Sequence, residues 1–292
     1  MISKITAIIM AIVSLVSSMG GAIPSKQTLY TDVAYGTHTR QVMDVCFPEK
    51  YEENMGVVLY IHGGGWVSGD KKSFLAKAKN ISRSANCISV TMNYRYVSGN
   101  VHCIDILKDI DSALAKVKLM AETRGINCTK VMLAGHSAGG HLALLYAYIK
   151  KWSAPITPAA VVSYSGPTDL SSKNFVERNS LQNADGMRLL VSSVVGVKLT
   201  KENFNSNKAA ILNCSPIKYV SSGCVPTIVI QGRQDTIVPV VDTRIFVNAL
   251  KTKGVTYRYF EMPNSGHALK QDPLYTDASE NVILDYAKKY LK

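Results

Sequence analysis

The apolar positions of this chain fall into short runs rich in β-branched residues, alternating with longer stretches of helical period. Val57–Ile61 is a continuous apolar run of the kind shown by a strand buried on both faces, and Ile88–Met92 repeats it. Further short runs lie at 131–134, 159–162, 227–230 and 257–260. Between them stand segments such as 104–122, whose Ile106, Ile110, Ala113, Leu114 and Val117 recur at three- and four-residue spacing. Strand–helix alternation predicts the α/β class, with a mainly parallel central sheet and helices on both faces. Upstream, 28–47 reads as two antiparallel edge strands around the turn Tyr35-Gly36-Thr37-His38. The rhythm fails from 168 to 222, a stretch rich in Ser, Asn and Lys with no clear strand. A structureless loop of that length is unusual in a compact domain, so short helices forming a cap over a site are expected there.

Composition narrows this picture. The chain has 292 residues, 47% hydrophobic and 18% charged, which suits one packed domain and excludes disorder. No internal repeat of about 20–50 residues is present, which excludes a solenoid. Residues 1–22 form a different unit: a short positive start ending at Lys4, an apolar run at 5–16, then Gly20 and Ala22 at the −3 and −1 positions of a cleavage site. That run is too short for a bilayer, which needs about 20 residues. A signal peptide at 1–22, a single folded domain at 23–292, export and no stable membrane insertion after cleavage are therefore expected.

Six cysteines fit an oxidising compartment, and the local pair Cys214–Cys224 is expected to form a disulfide. The alternative for any of them is a buried free thiol, with Cys87 at a strand start the best example. No Cys-x-x-Cys or His-x-x-x-His spacing points to a metal. Formal charge is +12, or +11 once Lys4 leaves (32 basic minus 21 acidic residues). The basic residues are scattered, with Lys71–Lys72 and Lys288–Lys289 the notable pairs, so solvated surface rather than a nucleic-acid face is expected. Asn80, Asn127 and Asn213 lie in glycan-acceptor sequons.

The chemistry sits at the ends of the strand runs. Gly135-His136-Ser137-Ala138-Gly139 follows the run at 131–134 and precedes an apolar helix at 140–149. A sharp strand-to-helix turn needs glycine on both flanks and presents Ser137 as a nucleophile. His62-Gly63-Gly64-Gly65-Trp66 follows Val57–Ile61, and its glycines let backbone N–H groups approach a substrate. Gly64, Gly65 and Ala138 are the expected donors to an oxyanion, Gly63 shapes the loop, and Trp66 is an expected substrate contact. His62 reads as a brace for this loop. A phosphate loop would need a Gly-Lys-Ser/Thr ending or Gly-x-Gly-x-x-Gly spacing, which the segment lacks. Asp235, in Gln231-Gly232-Arg233-Gln234-Asp235, follows the run at 227–230, and His267 follows the run at 257–260. Their order, Ser137, Asp235, His267, suits a nucleophile, an acid and a base. Asp169 is the rival acid. His38, His102, His136 and His141 read as structural or exposed.

Together these motifs, with Val67-Ser68-Gly69-Asp70-Lys71, resemble the α/β-hydrolase superfamily over 28–292. Within it the chain is similar to carboxylesterases related to hormone-sensitive lipase and to the bacterial feruloyl and acetyl-xylan esterase type. The resemblance implies a serine carboxylic ester hydrolase acting through an acyl-enzyme, without metal or organic cofactor. Its partners would be small-molecule or polysaccharide-linked esters. The His-Gly-Gly-x-Trp pattern also occurs in kynurenine formamidases, which cleave an aryl formamide and are usually not exported. The third reading is a non-catalytic binding protein like the plant gibberellin receptors, against which the complete residue set weighs. For a prolyl-oligopeptidase-like peptidase, the chain is too short to carry a propeller.

Overall fold

A computed structural model describes residues 27–150, 153–177 and 183–292, so the expected signal segment lies outside the described residues. The strands are β1 (Thr28–Ala34), β2 (Val42–Phe47), β3 (Val57–Ile61), β4 (Ile88–Met92), β5 (Lys130–His136), β6 (Thr157–Tyr164), β7 (Thr227–Gly232) and β8 (Tyr257–Met262). They form one sheet in the order β1-β2-β4-β3-β5-β6-β7-β8. β1 and β2 pair antiparallel at one edge, and β2 pairs antiparallel with β4. From β4 onward every pairing is parallel.

Strand alternation divides the core into two layers. Val57, Leu59 and Ile61 of β3 face one layer, while Val58 and Tyr60 face the other. The first layer is covered by α2 (Cys103–Glu122), α3 (Ala138–Ile149) and α7 (Val240–Thr252), through residues such as Ile110, Leu142 and Phe246. The second is covered by α1 (Leu75–Ala85) and α8 (Pro273–Tyr290), through Ala78, Ile81, Ile283 and Ala287. Among the described residues no helix is long and apolar enough to cross a membrane.

The segment that broke the strand rhythm carries short helices, α4 (Lys173–Glu177), α5 (Ala184–Val195) and α6 (Lys208–Asn213), then a 3-10 turn at Pro216–Tyr219. Local sequence explains α5: the Asn183 side chain accepts from Gly186 N at its start, and Gly196 closes it with φ 75°. Phe175, Met187, Val191, Val194 and Ile211 bury themselves in the first core layer. The helix ends are tied to the body, since His102, the N-cap of α2, donates from Nδ1 to the Ser193 carbonyl at 2.9 Å.

The expected Cys214–Cys224 disulfide is corrected, because all six cysteines are free thiols. Cys214 closes α6 and is buried, with Cys103 at the start of α2 as its neighbour. The Cys224 thiol instead donates to the Tyr219 carbonyl at 3.3 Å. Each sulfur has turned into a different environment, so their closeness in sequence does not bring them together. Cys87 is fully buried, and burial pushes its thiol up to about 12, so it stays protonated.

Candidate active site

Ser137 sits at the end of β5 with φ 55° and ψ −123°, a conformation few side chains adopt. It is held there because its N–H donates to the Tyr164 carbonyl at 2.8 Å and its carbonyl accepts from His141 N as α3 begins. A Cβ at Gly135 would collide with the Gly139 carbonyl, and one at Gly139 with the Ile61 carbonyl of β3. Both glycines of the motif are thus dictated by backbone packing.

Asp235 follows β7 and His267 follows β8, so the three side chains rise from the same end of parallel strands of one sheet, with β6 between β5 and β7. The His267 Nδ1–H donates to Asp235 Oδ2 at 2.8 Å. That fixes the tautomer, and Nε2 accepts from the Ser137 hydroxyl at 2.8 Å. The Asp235 carboxylate is fully buried, and Oδ1 accepts from the N–H groups of Ile237 and Val238 at 2.9 and 2.8 Å. The His267 loop is pinned from behind: Ser265 Oγ donates to Asp272 at 2.6 Å, and Gln234 N donates to the Ser265 carbonyl at 3.0 Å.

The glycine-rich loop turns sharply where its composition allows. Gly64, Gly65 and Trp66 all have positive φ (114°, 59° and 63°), and the Gly64 carbonyl accepts from Val67 N and Ser68 N. His62 does brace this loop. Its ring stacks on Tyr94 at 4.3 Å, Nδ1–H donates to the Gly63 carbonyl at 2.7 Å, and Nε2 accepts from Arg40 at 3.2 Å. Burial, reinforced by Arg40, pushes His62 down to about 4, so it is neutral. Gly64 and Gly65 line a cavity of about 370 Å³ together with Ser137, His267 and Trp66. Ala138, the first residue of α3, contributes an N–H with no partner inside its helix. The cavity is otherwise walled by Phe175 of α4, Met187 and Leu190 of α5, and by Ile237 and Val238 beside Asp235.

Other expectations resolve differently. Asp169 does not reach His267; its Oδ1 accepts from Ser171 N and Ser171 Oγ in a local turn. Trp66 lines the cavity yet is 2% exposed, because its indole N–H donates to His141 Nδ1 at 3.2 Å. His141 Nε2 in turn donates to the Cys214 carbonyl at 2.6 Å, and burial pushes this imidazole down to about 4. His136 donates from Nε2 to the His267 carbonyl at 2.9 Å and is likewise pushed down by burial. Sequence reasoning passed over Gln231, which donates to Asp235 Oδ2 at 2.9 Å. The available signal was a polar residue ending an otherwise apolar strand, four positions before the acid. Among the described residues no group of three or more His, Cys, Asp or Glu could hold a metal ion.

Comparison with known proteins places this geometry among relatives. The BD-FAE family model matches residues 43–250. A Mycobacterium tuberculosis protein named "Probable carboxylic ester hydrolase LipM" is 28% identical over 221 residues, covering 73% of this chain and 49% of that protein. Esterase LipQ of the same organism is 27% identical over 223 residues, covering 73% and 50%. The chain thus spans about half the length of the curated relatives it matches. Among solved structures, esterase B from Lactobacillus rhamnosis superposes with a TM-score of 0.73 at 19% identity, covering 99% of this chain and 95% of that one. A truncated carbohydrate esterase from gut microbiota gives 0.73 at 18% identity, covering 92% and 98%. At these identities the structural likeness establishes the shared α/β-hydrolase fold.

Proposed function

Because this chain belongs to the BD-FAE family within the α/β-hydrolase fold, we propose that it is a serine hydrolase cleaving carboxylic esters by two-step acyl transfer. The observation that carries the reading is the single imidazole, His267, hydrogen-bonded at once to Ser137 Oγ and to buried Asp235. His267 takes the Ser137 proton as Oγ attacks the ester carbonyl. The developing oxyanion is met by N–H groups of Gly64, Gly65 and Ala138, each worth about 10²–10³ in rate. His267 then passes the proton to the departing alcohol, and water repeats the sequence to free the acid. Asp235 holds the tautomer and stabilises the imidazolium. The apolar wall of Phe175, Met187 and Leu190 supports seating of the acyl group in the 370 Å³ cavity. Two of its relatives carry ester-hydrolase names, which supports an ester as substrate, and a small-molecule or polysaccharide-linked ester is the class proposed. The signal-like pattern at 1–22 supports export.

The test pairs a fluorophosphonate probe with a panel of 4-nitrophenyl esters, acetylated xylan and N-formylkynurenine. The expected result is labelling of Ser137, ester turnover, and loss of both in a folded Ser137→Ala variant. Turnover surviving that substitution, or confined to the formamide, overturns the proposal.

A further inference from the structure

Behind the triad lies a second row of hydrogen bonds that the acyl-transfer scheme does not use. Gln231, the penultimate residue of β7, is 1% exposed, and Thr243 of α7 is also 1% exposed. Gln231 Nε2 donates to Asp235 Oδ2 and to the Val238 carbonyl, both at 2.9 Å. Its Oε1 accepts from the Thr243 hydroxyl at 3.0 Å. Oδ2 is the same carboxylate oxygen that accepts from His267. A primary amide can present either end to a carboxylate, and only the NH₂ end is attractive here. With the amide turned over, Oε1 would face both Asp235 Oδ2 and the Val238 carbonyl. The Thr243 hydroxyl can donate to an amide oxygen or accept from an amide nitrogen, so it anchors whichever end the two acceptors leave to it. Asp235 Oδ2 and the Val238 carbonyl therefore select the amide orientation, Thr243 anchors the remaining Oε1, and the anchored amide holds the carboxylate.

We infer that Gln231 and Thr243 are positioning residues for Asp235: they hold Oδ2 where it accepts from His267 while the imidazole gains and loses a proton. The inference rests on the acyl-transfer reading above. With Ile237 and Val238 on Oδ1, the carboxylate has a donor on each available side. Its plane cannot rotate without breaking one of them. In a buried site such a fully partnered carboxylate keeps its geometry through the cycle.

The experiment measures kcat, KM and the pH profile of 4-nitrophenyl acetate hydrolysis for Gln231→Leu, Gln231→Glu, Thr243→Val and Thr243→Ser. Gln231→Leu and Thr243→Val are expected to lower kcat about ten-fold, with KM within two-fold, because the carboxylate loses its fixed orientation without loss of the substrate cavity. Thr243→Ser keeps the hydroxyl and is expected to restore kcat. Gln231→Glu can donate to Asp235 only while its new carboxyl is protonated, so kcat/KM should acquire an additional alkaline limb. Wild-type kcat in both Gln231→Leu and Thr243→Val overturns the inference, as does a Gln231→Glu loss equal at every pH. Thr243→Val is conservative in shape and remains informative if Gln231→Leu does not fold. An inactive wild-type protein would instead refute the hydrolase reading, which Ser137→Ala tests separately.

Discussion

Acid should destabilise this fold well before its carboxylates protonate, and His141 is the place to measure it. Its ring is fully buried between the Trp66 indole and the Cys214 carbonyl, with one nitrogen accepting and the other donating. Protonation would leave a second N–H facing the indole N–H. The imidazole is accordingly pushed from 6.5 to about 4, first by burial. A histidine with a depressed pKa binds fewer protons folded than unfolded, so its stabilisation is complete above 6.5 and lost as pH falls toward 4. The shift corresponds to about 3 kcal/mol in the acid limit, and linkage gives about 2 kcal/mol between pH 7.5 and 5. His62, pushed down equally by its burial beside Arg40, contributes a similar amount, and His136 acts in the same direction. Glu261, held at about 2 by Arg244 and Arg233, acts at lower pH and stays out of this window. Urea unfolding followed by tryptophan fluorescence at pH 7.5, 6 and 5 measures the slope. The wild type should lose about 4 kcal/mol across the range. His141→Gln, which can still accept from Trp66 and donate to Cys214 but does not titrate, should lose about 2 kcal/mol less. Equal slopes in the two proteins would refute the assignment of the acid sensitivity to His141.

Three further outcomes follow from the geometry. Asp235→Asn should lower kcat by roughly 10³–10⁴-fold, because an amide cannot hold the required tautomer of His267. Asp169→Asn should leave kcat within two-fold, and comparable losses in both would contradict the present assignment of the acid. Gly139→Ala drives a methyl group into the Ile61 carbonyl of the neighbouring strand. A cost of about 2–3 kcal/mol is expected, read as a lowered thermal midpoint, and an unchanged midpoint would show that the elbow can relax.

The strands were legible because a parallel sheet buries both faces, so Val57–Ile61 and Ile88–Met92 stand out as unbroken apolar runs. Ser137, Asp235 and His267 were legible for a related reason: each follows such a run, where a parallel sheet gathers its loops. The sheet order was not, since placing β4 between β2 and β3 depends on long-range pairing rather than local pattern. The cysteines misled because spacing in sequence says nothing about which way a helix end turns its side chain. His141 reads from the sequence as structural or exposed, and its partners in the fold come from 75 and 73 residues away and leave no local mark. Gln231 belongs to the same class: its importance lies in the orientation of an amide, which composition and periodicity do not encode.

The contact between His267 and Ser137 closes across 130 residues of sequence, whereas His267 and Asp235 are 32 apart. Such long-range closure carries an entropic cost that is recovered only when the intervening sheet is in place. Catalytic competence should therefore be among the last properties regained on refolding, trailing helix signal and compaction. Activity recovery then serves as a clock for docking of β8 onto β7. A chain interrupted before β8 would carry Ser137 without His267 and, on the proposed mechanism, would be silent however native the preceding strands had become.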